Sequence, residues 1–212
     1  MVRNRQLTEQ KLVEAVGVVL EAEGLGGLNA SAIAARAGVD KALIYKYFGN
    51  LETLLRRYGE GADLWWTAEE LLEGVAETGI KLNRSIIFSL VLVRFLKSLR
   101  RRPAARAILA GEVIQNNVLV DILAAKRERE TKRLFGALTT LFGGPLSADE
   151  IVGLTSYMHA ITYATLLGRG GGRTVFGIDL GTGELAWAKL EAAIMTGAKA
   201  QFTGWRTKSA PA

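Results

Sequence analysis

The chain of 212 residues has no cysteine, one histidine and three prolines. Without cysteine there is no disulfide framework, no thiolate metal site and no Cys nucleophile, a composition that suits a reducing cytoplasm. With a single histidine as well, metal-ligand sets are nearly excluded, and no metal or other cofactor is expected. The scarcity of proline leaves helical periodicity almost uninterrupted, and no segment alternates convincingly as a strand. Long apolar runs are also missing. The longest, Ile86 to Val93, is broken by Ser89 and closed by Arg94, too short to span a bilayer. Met1 to Gln10 is polar and basic with no apolar stretch behind it, so no secretory signal is read. A cytoplasmic protein with no membrane partner is the expectation.

What is present begins with charge. The formal net charge is +6 and the pI about 9.7, which permits nucleic-acid binding without establishing it. Residues 1–48 carry six Lys or Arg against five Asp or Glu, so that segment is only +1. Any DNA contact made there depends on placement. Glu9, Glu14, Glu21 and Glu23 are expected to face solvent, leaving Arg3, Arg5, Lys41 and Lys46 for a duplex. The cluster Arg100, Arg101, Arg102 and Arg106 reads as a solvated helix end, a second DNA contact being the alternative.

The most informative run is Ile33 to Phe48, IAARAGVDKALIYKYF. Ala34, Ala35 and Ala37 form helix readily and allow a second helix to cross closely, and Gly38 can take the positive φ that ends the first helix. Val39 plugs the gap between the helices. Asp40 is a good N-cap for a second helix running to Phe48, with Ile44 and Phe48 on its inner face and Gly49 as its stop. Asn29 stands where the first helix needs an N-cap, and Ser31 lies in its first turn, where a hydroxyl and free N–H groups can meet a phosphate. Upstream, an amphipathic helix from about Thr8 to Glu23 carries Leu12, Val16, Val19 and Leu20 on one stripe and stops at Gly24. Downstream, Asn50 can cap a helix opened by Leu51, Leu54 and Leu55. The layout is a helix-turn-helix inside a three-helix bundle, a unit that reads DNA. A glycine-turned pair of Ala-rich helices that binds nothing is the alternative.

These residues resemble the N-terminal DNA-binding domain of the TetR family of bacterial transcriptional regulators. The resemblance rests on Gly24, Asn29, Ile33 with Ala34, Ala37 with Gly38 and Val39, Ile44 with Tyr45, Tyr47, Phe48, and Leu51 with Glu52, and spans about Thr8 to Leu55. Three positions depart from the family pattern: Asn29 replaces threonine, Tyr47 stands where histidine is common, and Leu51 replaces a lysine that commonly touches a phosphate. That last contact should be absent or supplied by another group.

Beyond residue 50 helical breaks are expected near Thr78 to Gly79, at Pro103, near Gly111, at Gly143 to Pro145 and across Leu167 to Gly183. Residues 80–99 are apolar almost all round, with Ile80, Leu82, Ile86, Phe88, Leu92, Phe95 and Leu99, and belong in the middle of a bundle. The charged stretch from Lys126 to Lys132 is expected outside. The fold class is therefore all-α: residues 1–50 form the N-terminal three-helix bundle with its helix-turn-helix, and residues 51–212 a larger helical domain, which the family resemblance implies serves effector binding and dimerisation.

Small residues recur at Ser156, Ala160, Ala164 and Gly168, and a second stripe runs through Ala186, Leu190, Ala193, Gly197 and Ala200. That spacing allows close helix approach, and two such helices from each of two subunits make a four-helix interface; packing within the monomer is the alternative. The family resemblance implies the same homodimer. It also implies an effector site in the second domain, for which Trp65, Trp66, Phe88, Leu92, Arg94, Phe95, Tyr157, His159 and Tyr163 are candidates, ordinary core being the competing account of each. Arg94, inside the apolar helix, needs a partner, either Glu112 or an acidic ligand.

Gly177 to Gly183, GIDLGTG, resembles the phosphate-binding turn of the actin and sugar-kinase ATPase fold but lies between two helices, and Arg169 to Arg173, RGGGR, lacks the Lys-Ser/Thr pair of a P-loop. The expectation is a non-enzymatic regulator, a repressor, that binds a near-palindromic double-stranded operator as a dimer and is released by a small-molecule effector. Lys41, Ala42 and Leu43 lie nearest the bases; Tyr45, Lys46 and Tyr47 hold phosphates, helped by Asn29 and Ser31. The alternatives are a nucleotide-dependent enzyme using the GIDLGTG turn and a regulator without an effector.

Overall fold

The computed structural model of the protein describes residues 2–75, 83–168, 174–175, 177–179 and 183–208. Among these residues it is all-α in class: α1 (Val2–Glu23), a 3-10 turn (Leu25–Gly27), α2 (Ala30–Ala37), α3 (Ala42–Phe48), α4 (Leu51–Gly61), α5 (Ala68–Leu72), α6 (Arg84–Arg100), α7 (Pro103–Glu112), α8 (Val118–Phe142), α9 (Ala148–Leu167) and α10 (Glu184–Lys208). The one departure is a two-residue antiparallel hairpin between α9 and α10, β1 (Thr174–Val175) with β2 (Ile178–Asp179). Two residues a strand are too few for alternation to be visible. The expected break at Thr78 to Gly79, the side chains of Ile80 and Leu82, and the RGGGR loop lie outside the described residues. No helix among them is long and apolar enough to cross a membrane.

Contacts divide the chain into two compact units. The first comprises Met1–Trp65 with Arg102–Arg127. Its core takes Leu12, Val16, Val19 and Leu20 from α1, Ile33 from α2, Ile44 from α3, Leu54 and Leu55 from α4, and Ile108 from α7. α1 begins at Val2, six residues before the expected start, because the polar segment ahead of Thr8 continues the helix on its solvent side. α7 starts with Pro103 in its first turn, where the missing N–H costs nothing. Arg102 pairs with Asp63 at 2.9 Å and Arg127 with Glu112 at 2.9 Å.

The second unit comprises Trp66–Arg101 with Glu128–Ala212. As its sequence requires, α6 is central, buried along eleven of its seventeen residues and packed by α5, α9 and α10. Edge-on contacts join Trp66 to Phe95 and Phe88 to Phe142, and Phe88 also meets Phe202 with ring centroids 4.5 Å apart. Two expectations change here. The end of α6 is tied down: Arg100 pairs with Glu184 at 2.6 Å and lies over the Trp187 ring, and Arg101 pairs with Glu70. The stretch from Lys126 to Lys132 is only partly outside, because Glu130 is buried with its carboxylate accepting from the Ala68 N–H, the first donor of α5.

Candidate nucleic-acid interface

The geometry of the α2–α3 pair follows from its caps. Asn29 sits in extended backbone, its Oδ1 accepting from the Ala32 N–H at 2.9 Å while its Nδ2 donates to the Gly27 carbonyl. Gly38 adopts φ 67° and ψ 37°, and its N–H and that of Val39 close onto the carbonyls of Ala35 and Ala34. Nothing stands within 4 Å of where its Cβ would be, so glycine is required there by the backbone rather than by space. Asp40 caps the start of this segment with its side chain, and the helix itself begins later than expected. The Asp40 Oδ1 accepts from Ala42 N at 2.7 Å and its carbonyl from Leu43 N, so Lys41 already has helical dihedrals and α3 proper starts at Ala42. Gly49, at φ 79°, ends α3, and Asn50 caps α4 by accepting from the Thr53 N–H at 2.8 Å.

These caps fix which side chains are free. Ile44 is fully buried, so on a helix of 3.6 residues per turn Ala42 and Lys46 point directly away from the bundle, with Leu43 and Tyr47 on one flank and Lys41 and Tyr45 on the other. The exposures agree: Lys41, Ala42, Tyr45 and Lys46 are exposed, Leu43 and Tyr47 half-buried, and Ser31 exposed in the first turn of α2. All eight residues chosen from the sequence therefore lie on α2, its cap, or the outer part of the α3 segment. One feature was not legible. The Arg5 guanidinium of α1 lies over the Tyr47 ring, 5.2 Å from its centroid, a contact between residues too far apart in sequence for any local pattern to reveal.

The effector candidates scatter. Trp66, Phe88, Leu92 and Phe95 are fully buried or nearly so, packed into the core of the second unit, and Trp65 is buried in the first. Tyr157 is half-buried against Phe202, but His159 and Tyr163 are exposed on α9. Arg94 is not paired with Glu112, which is held by Arg127; its Nη1 donates to the Leu71 carbonyl at 2.9 Å, at the end of α5. A cavity of about 670 Å³ lies between α5 and α8, lined by Ala68, Glu69, Leu72, Glu73, Gly74, Arg133, Gly136 and Ala137, none of them an expected pocket residue. There the backbone N–H of Glu69 and the Thr67 hydroxyl hold the Glu69 carboxyl below the usual range. A smaller one, about 410 Å³, adjoins Leu51, Glu52, Leu55 and Asp121.

On α9 and α10, Ser156, Ala160 and Ala193 are exposed, and Ala164, Gly168, Ala186, Leu190 and Gly197 are half-buried. Val152, Tyr163 and Leu185 are exposed on the same helices at 63%, 61% and 70%. Asp179 of the GIDLGTG segment is exposed in β2, while Leu180, Gly181 and Thr182 lie outside the described residues.

Residues 12–58 match the sequence profile of the bacterial regulatory proteins of the tetR family, a span reaching from Leu12 in α1 to Tyr58 in α4. No curated protein matches the chain. Among solved structures, a TetR-like transcriptional regulator from Rhodococcus sp. RHA1 is 18% identical over 89% of this chain and 93% of its own, with a TM-score of 0.54. A mutant of the protein HlyIIR is 17% identical over 91% and 95%, at 0.53. A protein assigned to the TetR family of transcriptional regulators from Mesorhizobium loti is 14% identical over 94% and 96%, at 0.57. The chain thus carries the N-terminal domain and the fold of TetR-family transcriptional regulators, as its resemblance implies.

Proposed function

We propose that the protein is a dimeric transcriptional regulator, with residues 1–50 reading DNA and residues 51–212 providing dimerisation and an effector site. The observation that carries this is the α2–turn–α3 unit. Its two caps and its φ 67° glycine turn present Lys41, Ala42, Tyr45 and Lys46 outward from a helix anchored by Ile44. Lys41 at the start of the recognition segment is placed to donate to guanine O6 and N7, with Ala42 and Leu43 against a thymine methyl. Lys46, Tyr45 and Tyr47 hold phosphates, and Ser31 adds a hydroxyl beside the free N–H groups at the start of α2, which Asn29 keeps aligned.

One recognition helix covers few base pairs, so useful specificity requires two. The small residues of α9 and α10, partly exposed along both helices, support a surface for that dimer, and the operator is then a near-palindrome. Repression relieved by a small effector follows if the effector binds more tightly to a dimer geometry whose reading helices no longer match successive grooves. The α5–α8 cavity, with apolar walls between Glu69, Glu73 and Arg133, is of a size that small ligands occupy.

Fragments bound from the source genome define the operator. Against them Lys46→Ala is expected to weaken binding to every sequence and to lower the salt slope by about 0.9 per subunit, whereas Lys41→Ala relaxes preference at one base pair by about 1–3 kcal/mol. Equal and sequence-blind losses from both variants would sink these roles.

A further inference from the structure

Arg5 lies outside the helix-turn-helix, yet it is held at two points. Its guanidinium lies over Tyr47, 5.2 Å from the ring centroid, and its Nε donates to Glu9 Oε1 at 2.7 Å. The ion pair is solvated, Arg5 being 58% and Glu9 33% exposed, so it is weak and easily exchanged for a stronger anion. The stack has a different effect. A planar guanidinium against an aromatic face keeps its outer N–H groups free and fixes them in place, which an ammonium group does less well. Tyr47 stands on the flank of α3, beside the outward-pointing Lys46, so the stacked cation sits at the edge of the recognition surface.

We propose that Arg5 and Tyr47 act as one phosphate clamp at the wall of the groove, with Glu9 as the internal counter-ion that the DNA phosphate displaces. This rests on the DNA-reading function proposed above. In a segment whose net charge is only +1, each fixed cation matters. The clamp gives the protein a contact from α1 that turns with α3, and it assigns Tyr47 two roles, a platform for the guanidinium and a hydroxyl beside the same phosphate.

The test measures equilibrium binding of the full-length protein to a random-sequence duplex and to a genomically selected fragment, each across a salt series. Arg5→Ala is expected to reduce the salt slope by about 0.9 per subunit, so that the affinity gap from the parent narrows roughly tenfold for a dimer between about 50 and 200 mM salt. Arg5→Lys keeps the slope and loses affinity, because charge remains and the stack does not. Tyr47→Leu weakens binding in the parent and weakens it less in Arg5→Ala, where only the hydroxyl contact remains to be lost. Glu9→Gln tightens binding about two- to fivefold by removing the competitor. A parental salt slope retained in Arg5→Ala overturns the clamp, as does additivity of Arg5→Ala with Tyr47→Leu. If the parent binds neither duplex, the DNA-reading function fails with it, a distinguishable result.

Discussion

Tyr58 illustrates how a single side chain links packing to a measurable pH dependence. Its ring fills the space left by Gly17 on α1, where an added Cβ would stand 3.0 Å from Tyr58 Cε2, so α1 and α4 meet through a glycine and a tyrosine face. Burial, with the Glu21 carboxylate nearby, pushes the Tyr58 hydroxyl up to about 12. In the unfolded chain the same group titrates near its ordinary value of about 10. Between these values the folded state keeps a proton that the unfolded state has released, so stability falls as pH rises through that window and is fully present below it. The melting temperature is expected to drop from about pH 10 toward 12, and to drop less steeply in Tyr58→Phe. Equal slopes for the two proteins would show that other groups dominate. Arg94 makes the complementary point: this half-buried cation is held by a backbone carbonyl, a partner with no sequence signature.

At the scale of elements, α5 is the instructive case. Five residues are far too few for a helix to hold itself, since nucleation costs more than one turn returns. Its ends are held from outside by groups of the sign that the helix dipole favours: the Glu130 carboxylate at the Ala68 N–H, and the Arg94 guanidinium at the Leu71 carbonyl. Glu130→Gln should weaken the first hold by about 0.5–1 kcal/mol, and Arg94→Met should cost about 1–2 kcal/mol by leaving a carbonyl without its donor. Hydrogen exchange of residues 68–72 is expected to quicken in both variants more than exchange in α6; uniform changes would place the effect elsewhere. The same contrast explains what was legible in the sequence. Long helices and their ends could be read because the signals are local: Asn29, Gly38, Gly49 and Asn50 act within a few residues of themselves. The holds of Glu130 and Arg94 on α5, the pairing of Arg100 with Glu184 and the burial of Glu130 depend on partners distant in sequence, and the hairpin is too short for its alternation to show. Of the candidate site, the outward face of α3 was legible from its periodicity around Ile44, whereas the Arg5–Tyr47 stack was not. The aromatic residues expected to line a pocket are not those around the α5–α8 cavity for a related reason, since composition does not distinguish a packed ring from a ring beside a cavity.

At the scale of the whole molecule, the surface of α9 and α10 offers a sharp test of the proposed dimer. α9 and α10 expose Ser156, Ala160 and Ala193 together with Val152, Tyr163 and Leu185, a set of small and apolar side chains left facing water in a single chain. Isolated exposed apolar residues need no explanation, but their concurrence with small residues at helical spacing suits a helix of a second copy. A two-fold interface presents every residue twice, so one substitution is felt in both halves. Ala160→Glu therefore introduces two carboxylates into the contact, each losing water, and is expected to weaken association by several kcal/mol, about a hundredfold or more in dissociation constant. Ala160 is exposed, so the fold should tolerate the change, and Ala160→Ser serves as the size-matched control. Sedimentation should find a monomer for the first variant and a dimer for the second. The monomer should keep salt-dependent binding to random DNA through its own phosphate contacts while losing most of its preference for the operator, because preference requires two half-sites engaged together. A dimer that persists in Ala160→Glu means that the copies associate through another face; a monomer with undiminished operator preference means that dimerisation is not what confers specificity.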